Sequence, residues 1–277
     1  MPELPEVETI VRSLAPRLVG RKITAVRVLC HKLRKPCDER QFGRAVEARV
    51  EAIARRGKWI CCTLSNNMAL LIHLGMTGRL YIAWPGSPCA KHVHWVMDLQ
   101  PGGQQLRYED ARRFGLLTIV AATQVDNFFA QQLGPEPFAL TGRQLWLALR
   151  RTRRMLKTAL MDQRIVAGLG NIYSDEALFR ARLQPWLPAC RLSRMECAKL
   201  VTAIKRVLRQ AIAEGGSSIR DYLDGLGAPG RFQHQFQVYA RQGQPCRRCG
   251  QPIGKVRLGG RSCHYCPGCQ GNEPPAL

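Results

Sequence analysis

Acidic residues are scarce in this chain. Asp and Glu number 20 against 42 Lys and Arg in 277 residues, a formal charge of +22. Solubility is served better by acidic excess, so a balance tipped this far the other way points to a polyanionic partner, nucleic acid before membrane. Long apolar runs are missing too. Stretches such as Met68–Ile72 fall far short of a membrane span, and no basic amphipathic helix with bulky aromatics suggests a membrane surface. No leading segment joins a basic start to an apolar stretch. A secretory signal is therefore not expected, and the cytoplasm is the expected compartment. Apolar side chains as a class are plentiful at 45%, which supports a folded core and excludes global disorder.

Val7, Ile10, Val11, Leu14 and Leu18 recur at helical spacing, which predicts a helix over 3–19 stopped by Gly20. The pattern then changes. Lys22–Val28, Ala45–Ala54, Trp59–Leu64, Met68–Leu74, Arg79–Ala83, His94–Leu99, Gln105–Tyr108 and Leu116–Val120 are short runs bounded by Gly, Pro and Asn, as in a sandwich or barrel. Leu133–Pro137 has hinge-like chemistry, and 141–215 turns helical. Its clearest helix opens on a Ser193/Glu196 capping box, carries one apolar face and ends at Gly215-Gly216. The expected domains are 1–121, a linker at 122–136, a helical domain at 137–236, a cysteine module at 237–271 and a tail at 272–277.

Twelve cysteines are present. Those at 30, 37, 61, 62, 89, 190, 197 and 263 show no pairing scheme and are expected to be reduced, buried, small hydrophobes. Cys246-x2-Cys249 and Cys266-x2-Cys269 differ, because their spacing is that of a four-cysteine zinc ribbon. Between them Lys255–Leu258 and Arg261–Tyr265 can pair around Gly259-Gly260. Cys263 and Cys266 also have the x2 spacing, with His264 adjacent. The Pro-Gly between Cys266 and Cys269 favours the latter pair. Four protein ligands leave no open position, so one structural zinc ion is expected.

Pro2 follows the initiator Met. Removal of Met1 would expose a prolyl amine, which is partly neutral near pH 7. A neutral secondary amine can attack C1′ of a deoxyribose, with Glu3 and Glu6 near enough in sequence to move protons. On its own, however, this pattern more often opens an ordinary helix, with Pro in the first turn and acids complementing its dipole.

Several stretches occur together and in order. They are Pro2–Thr9, Arg55-Arg56-Gly57-Lys58, His73–Gly78, Asp110–Gly115, Leu133–Pro137, Gly168–Tyr173 and Arg261–Gln270. Jointly they resemble the formamidopyrimidine-DNA glycosylase/endonuclease VIII family along the whole chain. The resemblance implies an α+β multidomain fold: an N-terminal helix plus β-sandwich, a helix–two-turn–helix DNA-binding domain and a C-terminal four-cysteine zinc finger. It implies Pro2 as Schiff-base nucleophile, Glu3 as proton donor and Glu6 in support. Lys58 would be the proton donor for β-elimination, and Arg261 would bind a phosphate and assist δ-elimination. Met76, Arg112 and Phe114 would fill the void left by a flipped base. Asn171, His73, His92, Arg113, Arg153 and Lys157 would contact the DNA backbone, and Ser218, Arg220 and Tyr222 would lie in the loop over the damaged base. The partner implied is damaged double-stranded DNA, bound by a monomer in the cytoplasm, at the nucleoid.

Three positions depart from the family pattern: Val93, Ala111 and Cys263 stand where Asp, Pro and Thr are frequent. Met76, Phe114 and the Pro2–Thr9 stretch favour the oxidised-purine branch over an endonuclease VIII-like pyrimidine glycosylase. A non-catalytic zinc-ribbon DNA-binding protein would match the charge and the zinc spacing. It would not be expected to keep Pro2, Glu3 and Lys58 together.

Overall fold

The computed structural model describes residues 1–34, 36–219 and 222–271. Arg220 and the 272–277 tail lie outside the described residues. Two compact units emerge, Met1–Gln131 with Ile212–Arg231, and Gln132–Ala211 with Phe232 onward.

The first unit opens with α1 (Leu4–Leu18). Val7, Ile10, Leu14 and Leu18 of its apolar face are buried, as the 3.6-residue period requires. Then come β1 (Lys22–Val28), a short α2 (Glu39–Gly43), β2 (Val50–Arg56), β3 (Trp59–Leu64), β4 (Met68–His73), β5 (Arg79–Ala83), β6 (Val93–Gln100), β7 (Gln105–Glu109), β8 (Leu116–Ala121) and α3 (Val125–Ala130). The strands form two antiparallel four-stranded sheets, ordered β1-β6-β7-β5 and β2-β3-β4-β8. Ile23, Trp95, Met97, Leu106 and Tyr108 of one sheet meet Ile60, Leu64, Leu70, Ile72 and Ile119 of the other in one core, which α1 joins. The expected sandwich is present.

One expected strand begins late. Ala45–Ala48 forms no regular strand, and Arg49 makes only an isolated antiparallel bridge, to Lys22 of β1. Ala45 and Val46 close turns onto Phe42 and Gly43, and Glu47 adopts φ +70°, so β2 starts at Val50. The short α2, with Asp38 as its N-cap, and α3 were not anticipated.

The second unit holds α4 (Gly142–Leu149), α5 (Leu156–Leu160), α6 (Asn171–Ala181) and the 20-residue α7 (Arg194–Ala213). The expected capping box at the start of α7 is formed, with Ser193 N–H donating to Glu196 at 2.9 Å. The chain then makes a hairpin of β9 (Gly254–Leu258) and β10 (Arg261–Tyr265) and a final turn, α8 (Pro267–Gln270).

Candidate functional site

The entrance to α1 is built from acids. Glu3 occupies the N-cap, and its N–H donates to Glu6 Oε2 at 2.9 Å, half of a capping box. Both side chains are only 2% exposed, and Pro2 is buried. Lys58 comes to them from the β2–β3 corner. Arg56 pairs with Trp59, so Gly57-Lys58 is a two-residue hairpin turn, and Gly57 takes the φ of +57° that such a turn needs. Arg55, just before, donates to Glu8 at 2.9 Å and ties the strand to α1. Burial raises the pKa of Glu8, but Arg55 and Arg12 more than offset this and hold it below the usual carboxylate range. Lys58 is itself buried, at 5% exposed.

These groups converge on the ammonium of Met1, one residue before Pro2. Its pKa lies below the ordinary α-amino value, first through burial, with Lys58 and Arg112 pushing the same way and Glu3 and Glu6 opposing. Burial at this chain end therefore disfavours the charged form of the Met1 amine, beside two carboxylates and a lysine.

A second loop pair lies in the same unit. Asp110, fully buried, accepts from Thr77 Oγ1 (2.6 Å), the Gly115 N–H (2.8 Å) and Tyr108 Oη (3.1 Å), so the 110–115 loop winds around one carboxylate. Gly75 (φ +62°) packs so tightly that a Cβ would lie 2.5 Å from the Phe114 carbonyl carbon. This contact explains two of the sequence stretches at once. It holds half-buried Met76 near the loop that presents Arg112, Arg113 and Phe114 to solvent. The Arg112 guanidinium stacks over the Phe114 ring at 4.7 Å, and Arg113 takes φ +58°. His92 is half-buried, and its carbonyl accepts the Asp110 N–H.

His73 sits beneath Met76 in sequence but is not a cation at neutral pH. Burial, then Lys58 and Arg34, press its pKa down to about 4. Its Nδ1 accepts the Gly75 N–H at 3.1 Å, and its ring meets Trp59 edge-on. Any phosphate contact it makes is a neutral hydrogen bond.

Described residues on either side of 220–221 run along α1. Ser217 N–H donates to Glu6 Oε1 at 2.8 Å, Tyr222 Oη to the Glu6 carbonyl at 3.2 Å, and Gly225 N–H to Ser13 Oγ at 3.0 Å. Ser218 Oγ donates to the Tyr222 carbonyl and accepts from Gly230 N–H, so it braces the loop internally. Tyr222 packs against the sandwich core.

In the second unit, Gly170-Asn171 opens α6. Gln163 accepts the Gly168 N–H and donates to the Leu169 carbonyl, which shapes the glycine loop. Asn171 Nδ2 reaches Ser262 Oγ at 3.3 Å, next to exposed Arg261 at the hairpin tip. Gly259 (φ +54°) and Gly260 (φ +75°) make that tip. Arg153 is exposed. Lys157 corrects an expectation. Fully buried, its ammonium meets Asp175 at 2.6 Å and donates to the Ser262 carbonyl, so it braces the hairpin and does not face a phosphate. Asp175 also accepts the His264 N–H at 2.9 Å.

Cys246, Cys249, Cys266 and Cys269 bring their sulfurs within 4.8 Å of one another. Cys249–Cys266 and Cys246–Cys269 are separated by 3.3 and 3.9 Å, around the roughly 3.8 Å edge of a tetrahedron with ~2.3 Å Zn–S bonds. The donor set fits one structural zinc ion. Cys263 is not part of it: its side chain is wholly buried against Trp186, Leu258 and Tyr265.

Sequence reasoning missed Asp110, Glu8, Asp175 and Ser217. Their roles arise from long-range partners. Only Asp110, an acid at the end of a strand and before a turn, left a local trace.

Comparison with known proteins agrees with this geometry. Residues 1–117 match the formamidopyrimidine-DNA glycosylase N-terminal domain, 133–222 the formamidopyrimidine-DNA glycosylase H2TH domain, and 243–271 the zinc finger found in FPG and IleRS. A formamidopyrimidine-DNA glycosylase of Moorella thermoacetica is 47% identical, covering 93% of this chain and 95% of that protein. One of Geobacter sulfurreducens is 43% identical over 98% and 100%. Among solved structures, the Lactococcus lactis enzyme complexed with abasic-site DNA superposes with a TM-score of 0.90 at 35% identity, over 97% of this chain and 99% of that one. Its complex with Fapy-dG-containing DNA gives 0.89 at 35% identity over the same shares.

Proposed function

The chain belongs to the formamidopyrimidine-DNA glycosylase family, and we propose that it opens repair of oxidised purines in duplex DNA with the amine of Pro2 as its nucleophile. It is a base-excision DNA glycosylase with a structural zinc finger. The observation that carries the nucleophile assignment is the placement of buried Pro2 at the head of α1, with the buried Glu3, Glu6 and Lys58 around the same chain end.

With Met1 removed, the Pro2 nitrogen attacks C1′ of the damaged nucleotide. The glycosidic bond breaks with its electron pair leaving on the base, which takes up a proton; the attached nitrogen then sheds its own proton and its lone pair breaks the C1′–O4′ bond, the ring oxygen taking up a proton, with Glu3 as the donor to base or ring oxygen. The resulting iminium acidifies the C2′ proton. Its loss expels the 3′ phosphate, with Lys58 moving the proton, and a second elimination releases the 5′ phosphate, with Arg261 neutralising the phosphate charge. Met76, Arg112 and Phe114 occupy the vacated stack. Arg112 is suited to the acceptor edge of an orphaned cytosine, and Phe114 to wedging between bases. Asn171, His92, Arg113 and Arg153 hold the backbone, and the loop carrying Ser218 and Tyr222 covers the extruded base. We place the protein in the cytoplasm, at the nucleoid, as a monomer. No helix among the described residues is long and apolar enough to cross a membrane.

The deciding experiment is borohydride trapping on duplexes with 8-oxoguanine opposite cytosine. Protein with a verified free Pro2 forms a covalent adduct, while Pro2→Gly and Met1-retaining protein do not. Absence of both adduct and cleavage on oxidised-purine and abasic duplexes ends the nucleophile assignment. Faster excision of thymine glycol than of 8-oxoguanine moves the enzyme to the pyrimidine branch.

A further inference from the structure

Asp110 is the most deeply buried acid among the described residues of the first unit, and no step above uses it. Burying a carboxylate is costly unless hydrogen bonds replace its water. Here they do. Oδ1 accepts from Thr77 Oγ1 at 2.6 Å and from the Arg112 N–H at 3.2 Å. Oδ2 accepts from the Gly115 N–H at 2.8 Å and from Tyr108 Oη at 3.1 Å. Four donors thus meet the roughly four acceptor positions that a carboxylate offers. The backbone is held as well. The Asp110 N–H donates to the His92 carbonyl at 2.9 Å, and its own carbonyl lies 2.8 Å from His94 Nε2.

The donors come from separate places in the chain. Thr77 lies between β4 and β5, Tyr108 in β7, and Arg112 and Gly115 in the 110–115 loop. Thr77 Oγ1 also accepts the Arg112 N–H at 3.2 Å, so the two loops are tied twice. The side chains assigned to the vacated stack follow these donors closely. Met76 adjoins Thr77, Arg112 is itself a donor, and Phe114 adjoins Gly115. Core packing does not hold the latter two: Arg112 and Phe114 are exposed and stack on each other. Ala111, second in the turn that the Arg113 N–H closes onto the Asp110 carbonyl, lacks the ring that would fix φ there. The restraint common to the three backbones is the Asp110 carboxylate.

We propose that Asp110 is a positioning residue for base discrimination: its carboxylate sets the register of Met76, Arg112 and Phe114, so that the Arg112 guanidinium meets the base opposite the lesion where it favours cytosine over adenine. The inference rests on the assignment of Arg112 to the orphaned base. Asp110 is wholly buried and acts through these side chains, not on DNA itself. Asp110→Asn keeps the shape but turns one oxygen into an NH₂ donor. The hydroxyl of Thr77 or Tyr108 can rotate to accept from it. The peptide N–H of Arg112 or Gly115 cannot, and its segment must shift.

Single-turnover excision of 8-oxoguanine, opposite cytosine and opposite adenine, by zinc-loaded protein with a free Pro2 tests this. The wild type prefers cytosine. Asp110→Asn slows excision about tenfold opposite cytosine and only about twofold opposite adenine, so the preference falls about fivefold. A carboxylate that only stabilised the unit would slow both duplexes equally. Thr77→Val removes the bridging hydroxyl with little change of shape and lowers the preference by about two- to threefold. It takes the place of Asp110→Asn should near-UV circular dichroism show that variant unfolded. Arg112→Ala tests the underlying assignment. If it lowers the preference but folded Asp110→Asn, or Thr77→Val in its place, keeps the wild-type ratio, the proposal is overturned and the assignment of Arg112 stands. If Arg112→Ala also keeps the ratio, the assignment fails and the proposal falls with it.

Discussion

Glu6 Oε1 accepts the peptide N–H of Ser217 at 2.8 Å, while Oε2 of the same carboxylate accepts that of Glu3 at 2.9 Å. One side chain thus joins the end of α1 that follows the proposed nucleophile to the loop proposed to cover the damaged base. Glu6→Gln keeps the shape but turns an NH₂ donor toward a peptide donor. A stability loss of about 1–3 kcal/mol in urea is expected, with slower single-turnover release of 8-oxoguanine. A variant matching the wild type in both would mean that the carboxylate links nothing.

Stability should depend on pH through His73. Its folded-state pKa is about 4, against about 6.5 when unfolded. Between these values the unfolded chain binds the proton and the folded chain does not. Stability from this group is therefore complete above about pH 6.5 and is lost as the pH falls toward 4. His73→Gln should flatten that part of a stability-versus-pH curve. It should also leave the salt slope of DNA binding unchanged at pH 7.5, because a neutral ring releases no counter-ion. A slope reduced by about one would show a charged contact.

Lys157 and Asp175 form a wholly buried pair. Lys157→Met strands the Asp175 carboxylate and should cost about 3–5 kcal/mol, while Lys157→Met combined with Asp175→Leu should recover part of the loss. Chemical denaturation of the single and double variants measures the coupling. Additive losses would deny the pair any interaction.

Zinc content separates Cys263 from its neighbours. Cys263→Ser should retain one zinc per chain, and Cys266→Ser should lose it, together with DNA affinity. Metal release to a chromogenic chelator after thiol modification reads this directly. Zinc-free Cys263→Ser protein would reverse the ligand assignment.

Gly75→Ala meets two obstacles: φ of +62° and backbone of Phe114 within 2.5 Å of the new Cβ. A loss of roughly 1–3 kcal/mol is expected, along with weaker binding to abasic duplex, since the loop bearing Arg112 and Phe114 must move. Unchanged affinity would separate that loop from DNA binding.

The sequence by itself determined whatever depends on spacing along the chain. The period of Val7, Ile10, Leu14 and Leu18 made α1, two pairs of cysteines with two residues between the partners made the metal site, and one glycine pair made the hairpin tip. The +22 charge announced a polyanion before any element was placed. Tertiary structure decided whatever depends on which neighbours a side chain finds. Lys157 looks in sequence like one more basic residue after an arginine run, and only the fold buries it against Asp175. Cys263 has a ligand's spacing and faces Trp186 instead. Ala45–Ala48 has a strand's composition but follows α2 too closely to extend. The acids at Glu3 and Glu6 are an ordinary helix start until the β2–β3 corner brings Lys58 beside them. Local geometry follows from covalent reach, whereas burial and ion pairing follow from contacts tens to hundreds of residues apart, whose energies no local window contains.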